Sequence, residues 1–144
     1  MRVTNYERRR IGVIFSSILP AAGDTSFPDA TALPLDRFID DFFAHTPPGS
    51  SVGVRLAALI ICLASWLLAG RSFLRSTRAQ QQALLARMAS SRVYIVRELP
   101  TLMKLTAFMA WGGDPRVHAH VHVPLHDGRP AAWLESAPST AEQR

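Results

Sequence analysis

Apolar residues recur at Ile11, Ile14, Phe15 and Ile18, the i, i+3, i+4, i+7 spacing of one helix face. Thr4 and Glu7 stand just before them in a T-x-x-E capping-box pattern, and Pro20 and Gly23 close the segment. Pro20, Gly23, Pro28 and Pro34 then mark a loop. Leu35, Phe38, Ile39, Phe42 and Phe43 form a second apolar face, with Asp36, Asp40 and Asp41 turned away from it. Pro34 suits the first position of that helix, and Thr46-Pro47-Pro48-Gly49-Ser50 breaks it. A third segment, Leu56 to Gly70, carries no charge. Its upstream extension to Val52 is interrupted only by Arg55, and Gly70 is placed to end it in the left-handed conformation.

Two more helices follow. Thr77 and Gln80 repeat the capping box, with Leu84, Leu85 and Met88 predicted inward and Gln81, Gln82 and Arg87 outward. Val93 to Trp111 is apolar at Val96, Leu99, Leu102, Met103, Leu105, Phe108 and Met109. Pro100 removes a backbone donor inside this stretch, which predicts a kink or a restart. Gly112-Gly113-Asp114-Pro115 stops it. The pattern predicts an all-α fold, a small bundle of about five helices over residues 1–117. Residues 118–144 read as a His-rich extended segment and an irregular tail.

The third segment is the ambiguous one. A bilayer crossing needs about 20 apolar residues, and shorter runs more often mark buried helices. Apolar character all round favours burial on all sides, hence a core helix. The alternative is a small membrane protein anchored through residues 52–70. Composition narrows the class further. Among 144 residues, 48% are hydrophobic and 19% charged, so the chain is neither disordered nor too small to hold a core. Cys62 is the only cysteine and sits in the apolar run, where it reads as a small hydrophobe rather than a nucleophile.

The charge is uneven. The net is +5, yet Phe42 to Arg97 holds no acid and seven arginines. Those arginines must face water, distant acids or another molecule. They are dispersed, fifteen of the sixteen basic residues are Arg, and no nucleic-acid motif accompanies them, so nucleic acid is not the expected partner.

Three candidate sites stand out by chemistry. On a strand, the alternation Val117–Val123 would put His118, His120 and His122 on one face, a potential zinc or copper site; the competing reading is an irregular solvent-exposed segment. Arg8-Arg9-Arg10 before Ile11–Leu19, with Ala21-Ala22-Gly23 after, imitates an export signal. The short stretch, its Ser16 and Ser17, and its amphipathic spacing favour an uncleaved first helix. Asp36, Asp40 and Asp41 share one helix, but its amphipathicity accounts for them without catalysis. Phosphate loops, nucleophile elbows, H-E-x-x-H and dinucleotide fingerprints do not occur in the sequence. Nothing therefore marks the chain as an enzyme.

The order of these elements carries a resemblance. A helix ends in Ile18-Leu19-Pro20, and a loop leads to Leu35-Asp36-Arg37-Phe38. A long apolar helix precedes Phe73 and the Thr77-Arg78-Ala79-Gln80-Gln81-Gln82 helix start. Ser91-Arg92 opens a last helix running into Trp111-Gly112-Gly113-Asp114-Pro115. Over about residues 5–118 this layout resembles the small-subunit family of membrane-bound gluconate 2-dehydrogenase. Gly112 departs from it, standing where the family tends to have a second aromatic.

The resemblance implies a non-catalytic accessory subunit. Its large partner would be a glucose-methanol-choline type oxidoreductase that carries the FAD and acts on an alcohol, sugar or sterol-like substrate. It implies a heterodimer or larger hetero-oligomer, with no cofactor held by this chain. Arg75, Arg78, Arg92, Trp111 and Arg116 are the candidate partner contacts, since Arg and aromatic residues are enriched at interfaces. Each aromatic has core packing as its competing role. Without a twin-arginine leader, a cytoplasmic location is expected, membrane-associated as the alternative and periplasmic less so.

Overall fold

The computed structural model of the chain describes residues 3–20, 33–114 and 116–117. They form five α-helices: α1 (Asn5–Ile18), α2 (Leu35–His45), α3 (Pro48–Ala69), α4 (Arg78–Ala89) and α5 (Tyr94–Gly112). A single 3-10 turn, Phe73–Arg75, lies between α3 and α4. The fold is all-α, with no strand among the described residues.

Both capping boxes form. Thr4 accepts from the Glu7 N–H at 3.2 Å, and the Glu7 carboxylate accepts in return from the Thr4 N–H at 2.9 Å. Thr77 and Gln80 do the same at the start of α4. Each box satisfies donors that a helix start would otherwise leave unpaired. Gly70 ends α3 at φ 62°, the left-handed conformation that a residue with a Cβ adopts at a cost.

The structure corrects the element boundaries in two places. The Pro-rich segment 46–50 contains the start of α3: Pro47 is its N-cap and Pro48 its first residue. Proline is tolerated there because its missing N–H would have had no helical partner. Pro34 lies one residue ahead of its expected place, as the N-cap of α2. At Pro100, α5 continues as one helix without a restart.

α1 is the hub, touching all four other helices. Ile11, Ile14, Phe15 and the following Leu19 are fully buried against Ile39 and Phe43 of α2, Val54 and Ile61 of α3, and Met103 of α5. Phe73 joins this core from the 3-10 turn with none of its surface exposed. α4 packs on α5 and α1. Polar side chains fasten the ends. Arg78 donates to the Leu19 carbonyl, and Gln82 donates to the Ser17 carbonyl at 3.1 Å, so the start of α4 covers the carbonyls at the end of α1. Arg8 of α1 grips Asp40 of α2 through both carboxylate oxygens at 2.7 and 2.9 Å, the fork geometry that distinguishes Arg from Lys.

Candidate functional site

The functional question centres on α3. Its buried residues are Ser51, Val54, Ala57, Ala58, Ile61 and Ser65, mostly small. Its outward face holds Val52, Leu56, Leu59, Leu63, Trp66 and Leu67, all large. Trp66 is 67% exposed and Leu67 82%. Small residues inward let α3 lie close to its neighbours; at Gly53 an added Cβ would sit 3.9 Å from the Leu102 side chain of α5. The cost is that the large apolar groups of α3 face out. The expectation of burial on every side is therefore corrected: 28% of its most apolar stretch is buried. Trp66 of this helix lies outside the core.

α5 packs beside α3 and repeats the pattern. Met103 and Ala107 are fully buried, whereas Leu105 and Met109 are more than 60% exposed, and Phe108 is exposed as well. Thirteen of the fifteen exposed large hydrophobic residues in the described structure belong to α3 and α5. Isolated apolar residues on a surface need no explanation, but a concentration on two adjacent helices does. Among the described residues, α3 alone is long and apolar enough to cross a membrane.

The arginines resolve into different roles. Arg55 leaves the apolar face of α3: its guanidinium stacks over the Phe43 ring at 5.0 Å and lies 3.7 Å from Glu7 of α1. It thereby reaches one of the distant acids that the acid-free middle of the chain requires. The Thr4 N–H, and then the Thr4 hydroxyl with Arg55 and Arg10, hold the Glu7 carboxyl below its ordinary value against an opposing push from burial. The candidate contact residues are not brought together as one cluster. Arg75 is exposed on the 3-10 turn, and Arg92 is exposed between α4 and α5. Arg78 is engaged at the end of α1. Arg116 forks onto Asp114 at 2.7 Å, and that hydrogen-bonded pair holds the Asp114 carboxyl below its usual value. Trp111 is half-buried, edge-on to Phe108 at 5.7 Å, so it borders the α5 apolar face.

Two concavities flank the exposed surface. One, of about 450 Å³, opens between the start of α2 and the end of α5, lined by Leu35, Phe38, Met109 and Asp114 among others. The other, of about 290 Å³, lies where α3, the 3-10 turn and α4 meet. Gln81, expected to point outward, is buried beside it and donates to the Phe73 carbonyl at 2.8 Å, which fixes the turn against α4. Cys62 is half-buried; burial raises its thiol pKa against a smaller lowering effect from Arg10. Its basic neighbour comes from α1, which chain order alone does not reveal.

No group of three or more His, Cys, Asp or Glu side chains that could hold a metal occurs among the described residues. His118, His120 and His122, and the segment after Pro20 that imitates a cleavage zone, lie outside them. No protein-family model, curated protein or solved structure matches the chain.

Proposed function

We propose that this chain is a non-catalytic accessory subunit that docks through the outward faces of α3 and α5 onto a larger protein. The observation that carries the reading is the inverted size pattern of α3, small residues inward and Leu56, Leu63, Trp66 and Leu67 outward. In water, leaving such a surface uncovered forgoes about 25 cal/mol for each Å² of apolar area that a partner would bury. Trp, Tyr and Arg dominate binding energy at protein interfaces, and the exposed Trp66 is such an anchor, with the leucines around it excluding water.

The resemblance to the gluconate 2-dehydrogenase small subunit supplies the partner's class: a glucose-methanol-choline type flavoprotein with its own FAD, acting on an alcohol, sugar or sterol-like substrate. In this reading the present chain contributes no group to the chemistry. It stabilises the large subunit in the cytoplasm, or at the membrane, as a heterodimer or larger assembly. Trp111 at the edge of the α5 face, and the exposed Arg75 and Arg92, are proposed as peripheral contacts. The test is co-expression of the tagged chain with the flavoprotein encoded nearest to it. A yellow complex of defined stoichiometry is expected; a chain that purifies alone as a stable, detergent-free monomer beside an independently active flavoprotein would refute the proposal.

One observation favours a second reading. α3 spans 22 residues and its outward face is apolar from Val52 to Leu68, which also suits seating in a lipid surface. Its opposite stripe packs on α1 and α5, so this seating would be in the plane of the bilayer rather than across it. Flotation of the full chain with vesicles, in the absence of any flavoprotein, separates this reading from the first.

A further inference from the structure

The smaller concavity has a chemistry that the docking surface does not use. Its lining comes from Ser65 to Arg87, wholly within the stretch of the chain that contains no acid. Two guanidiniums border it: Arg71 just beyond α3 and Arg87 on the last turn of α4. Arg71 uses only its Nε, in a long 3.4 Å hydrogen bond to the Ala69 carbonyl, so its terminal nitrogens are available. The Arg87 guanidinium has no carboxylate partner among the described residues. Gln80 accepts from the Thr77 N–H with its oxygen at 3.1 Å, which leaves its amide NH₂ as a further donor at the rim.

The walls between these donors are built rather than incidental. Ser65 Oγ donates to the Arg71 carbonyl at 2.9 Å and ties the turn after α3 back onto the helix. Gln81 is buried and ties α4 to the 3-10 turn through Phe73. Both arginines are therefore carried on segments fixed to one another.

We infer that this pocket binds a phosphate group, held between Arg71 and Arg87. Two guanidiniums and an amide on one cavity wall, Arg71 from the turn after α3 and Gln80 and Arg87 from α4, match a phosphate, which accepts on several oxygens at once. A carboxylate would be satisfied by one bidentate arginine. No carboxylate stands in the lining or in the flanking sequence to compete for the two guanidiniums. Leu68, half exposed, lines the pocket and also belongs to the outward side of α3, so the phosphate has two physically reasonable sources: a soluble phosphate ester, or the headgroup of a phospholipid whose chains follow α3. The inference does not rest on the flavoprotein proposal.

The test uses the purified full chain, in nonionic detergent, titrated calorimetrically with inorganic phosphate. A parallel arm floats it on phosphatidylcholine vesicles with and without phosphatidic acid. Arg71→Gln and Arg87→Gln are compared with Arg9→Gln, an exposed arginine on α1. Each pocket variant is expected to weaken phosphate binding about tenfold while Arg9→Gln leaves it unchanged. Circular dichroism checks that all three variants retain native helicity. Capture on phosphatidic acid vesicles that depends on Arg71 and Arg87 identifies the headgroup as the source. Calorimetric binding without selective capture identifies a soluble phosphate. The inference is overturned if neither probe binds, or if Arg9→Gln weakens binding as much as the pocket variants do, because the effect would then be diffuse charge.

Discussion

At the scale of single residues, the most informative positions are those where a side chain closes a backbone account. Thr4 and Glu7 satisfy the first donors of α1, and Glu7 also faces Arg55 across the α1–α3 contact. Replacing Thr4 by Ala should destabilise the fold by about 1 kcal/mol in urea unfolding. Glu7 gives this corner a pH dependence whose sign follows from its depressed pKa. A carboxyl held below 4.5 when folded contributes stability that is fully present above that value and is lost as pH falls through the lower folded value. The stability gap between the native chain and Glu7→Gln should therefore narrow on going from about pH 7 to about pH 3; a gap that widens in acid would contradict this account. Phe73 is the opposite kind of residue, apolar and fully enclosed. Phe73→Ala is expected to cost about 3–5 kcal/mol, since a ring-sized cavity beside Gln81 cannot easily collapse.

Among elements, the five helices were legible because caps and periodicity agree: two capping boxes, a left-handed Gly70 and the α2 apolar face all stand in the structure where the chain places them. What hydropathy could not reveal is which side of α3 is buried. An apolar/polar pattern counts Ala57, Ala58, Leu59 and Leu63 alike, and side-chain size separates the buried pair from the exposed one. The recurrence of Ser51, Ala57, Ala58 and Ser65 along one face was the available signal, because close helix approach selects small residues. Gln81 was misplaced for a related reason. Its buried amide is satisfied by the Phe73 carbonyl eight residues earlier, a tertiary hydrogen bond that local polarity cannot anticipate. The consequence for α3 is measurable. Leu63→Gln with Leu67→Gln should change folding stability by less than about 0.5 kcal/mol while increasing solubility of the isolated chain. In contrast, Gly70→Ala should cost about 1 kcal/mol at the left-handed cap, although open space surrounds it.

On the scale of the whole molecule, the bundle reads as a scaffold that spends its small residues on packing and its large ones on display. α1 anchors every other helix, Arg78 and Gln82 close the end of α1, and α3 and α5 carry most of the exposed apolar bulk. The exposed apolar face of α3 and the arginine-bordered cavity both fall within the acid-free middle of the chain. That charge distribution was visible from the start, but its division was not. Arg55 and Arg78 serve the fold, whereas Arg71 and Arg87 border a cavity. Telling these apart requires the distances between helices, which no spacing along the chain contains.

The central claim is that the α3–α5 face is covered by a larger flavoprotein. The most direct measurement is size-exclusion chromatography of the co-expressed pair, followed by flavin absorbance, for the native chain and for Leu63→Gln/Trp66→Gln/Leu67→Gln. The account predicts that the native chain elutes in a yellow complex, and that the triple variant elutes apart from the flavoprotein with its helicity intact. A triple variant that stays fully bound to the flavoprotein, or a native chain that never joins it, would contradict the account.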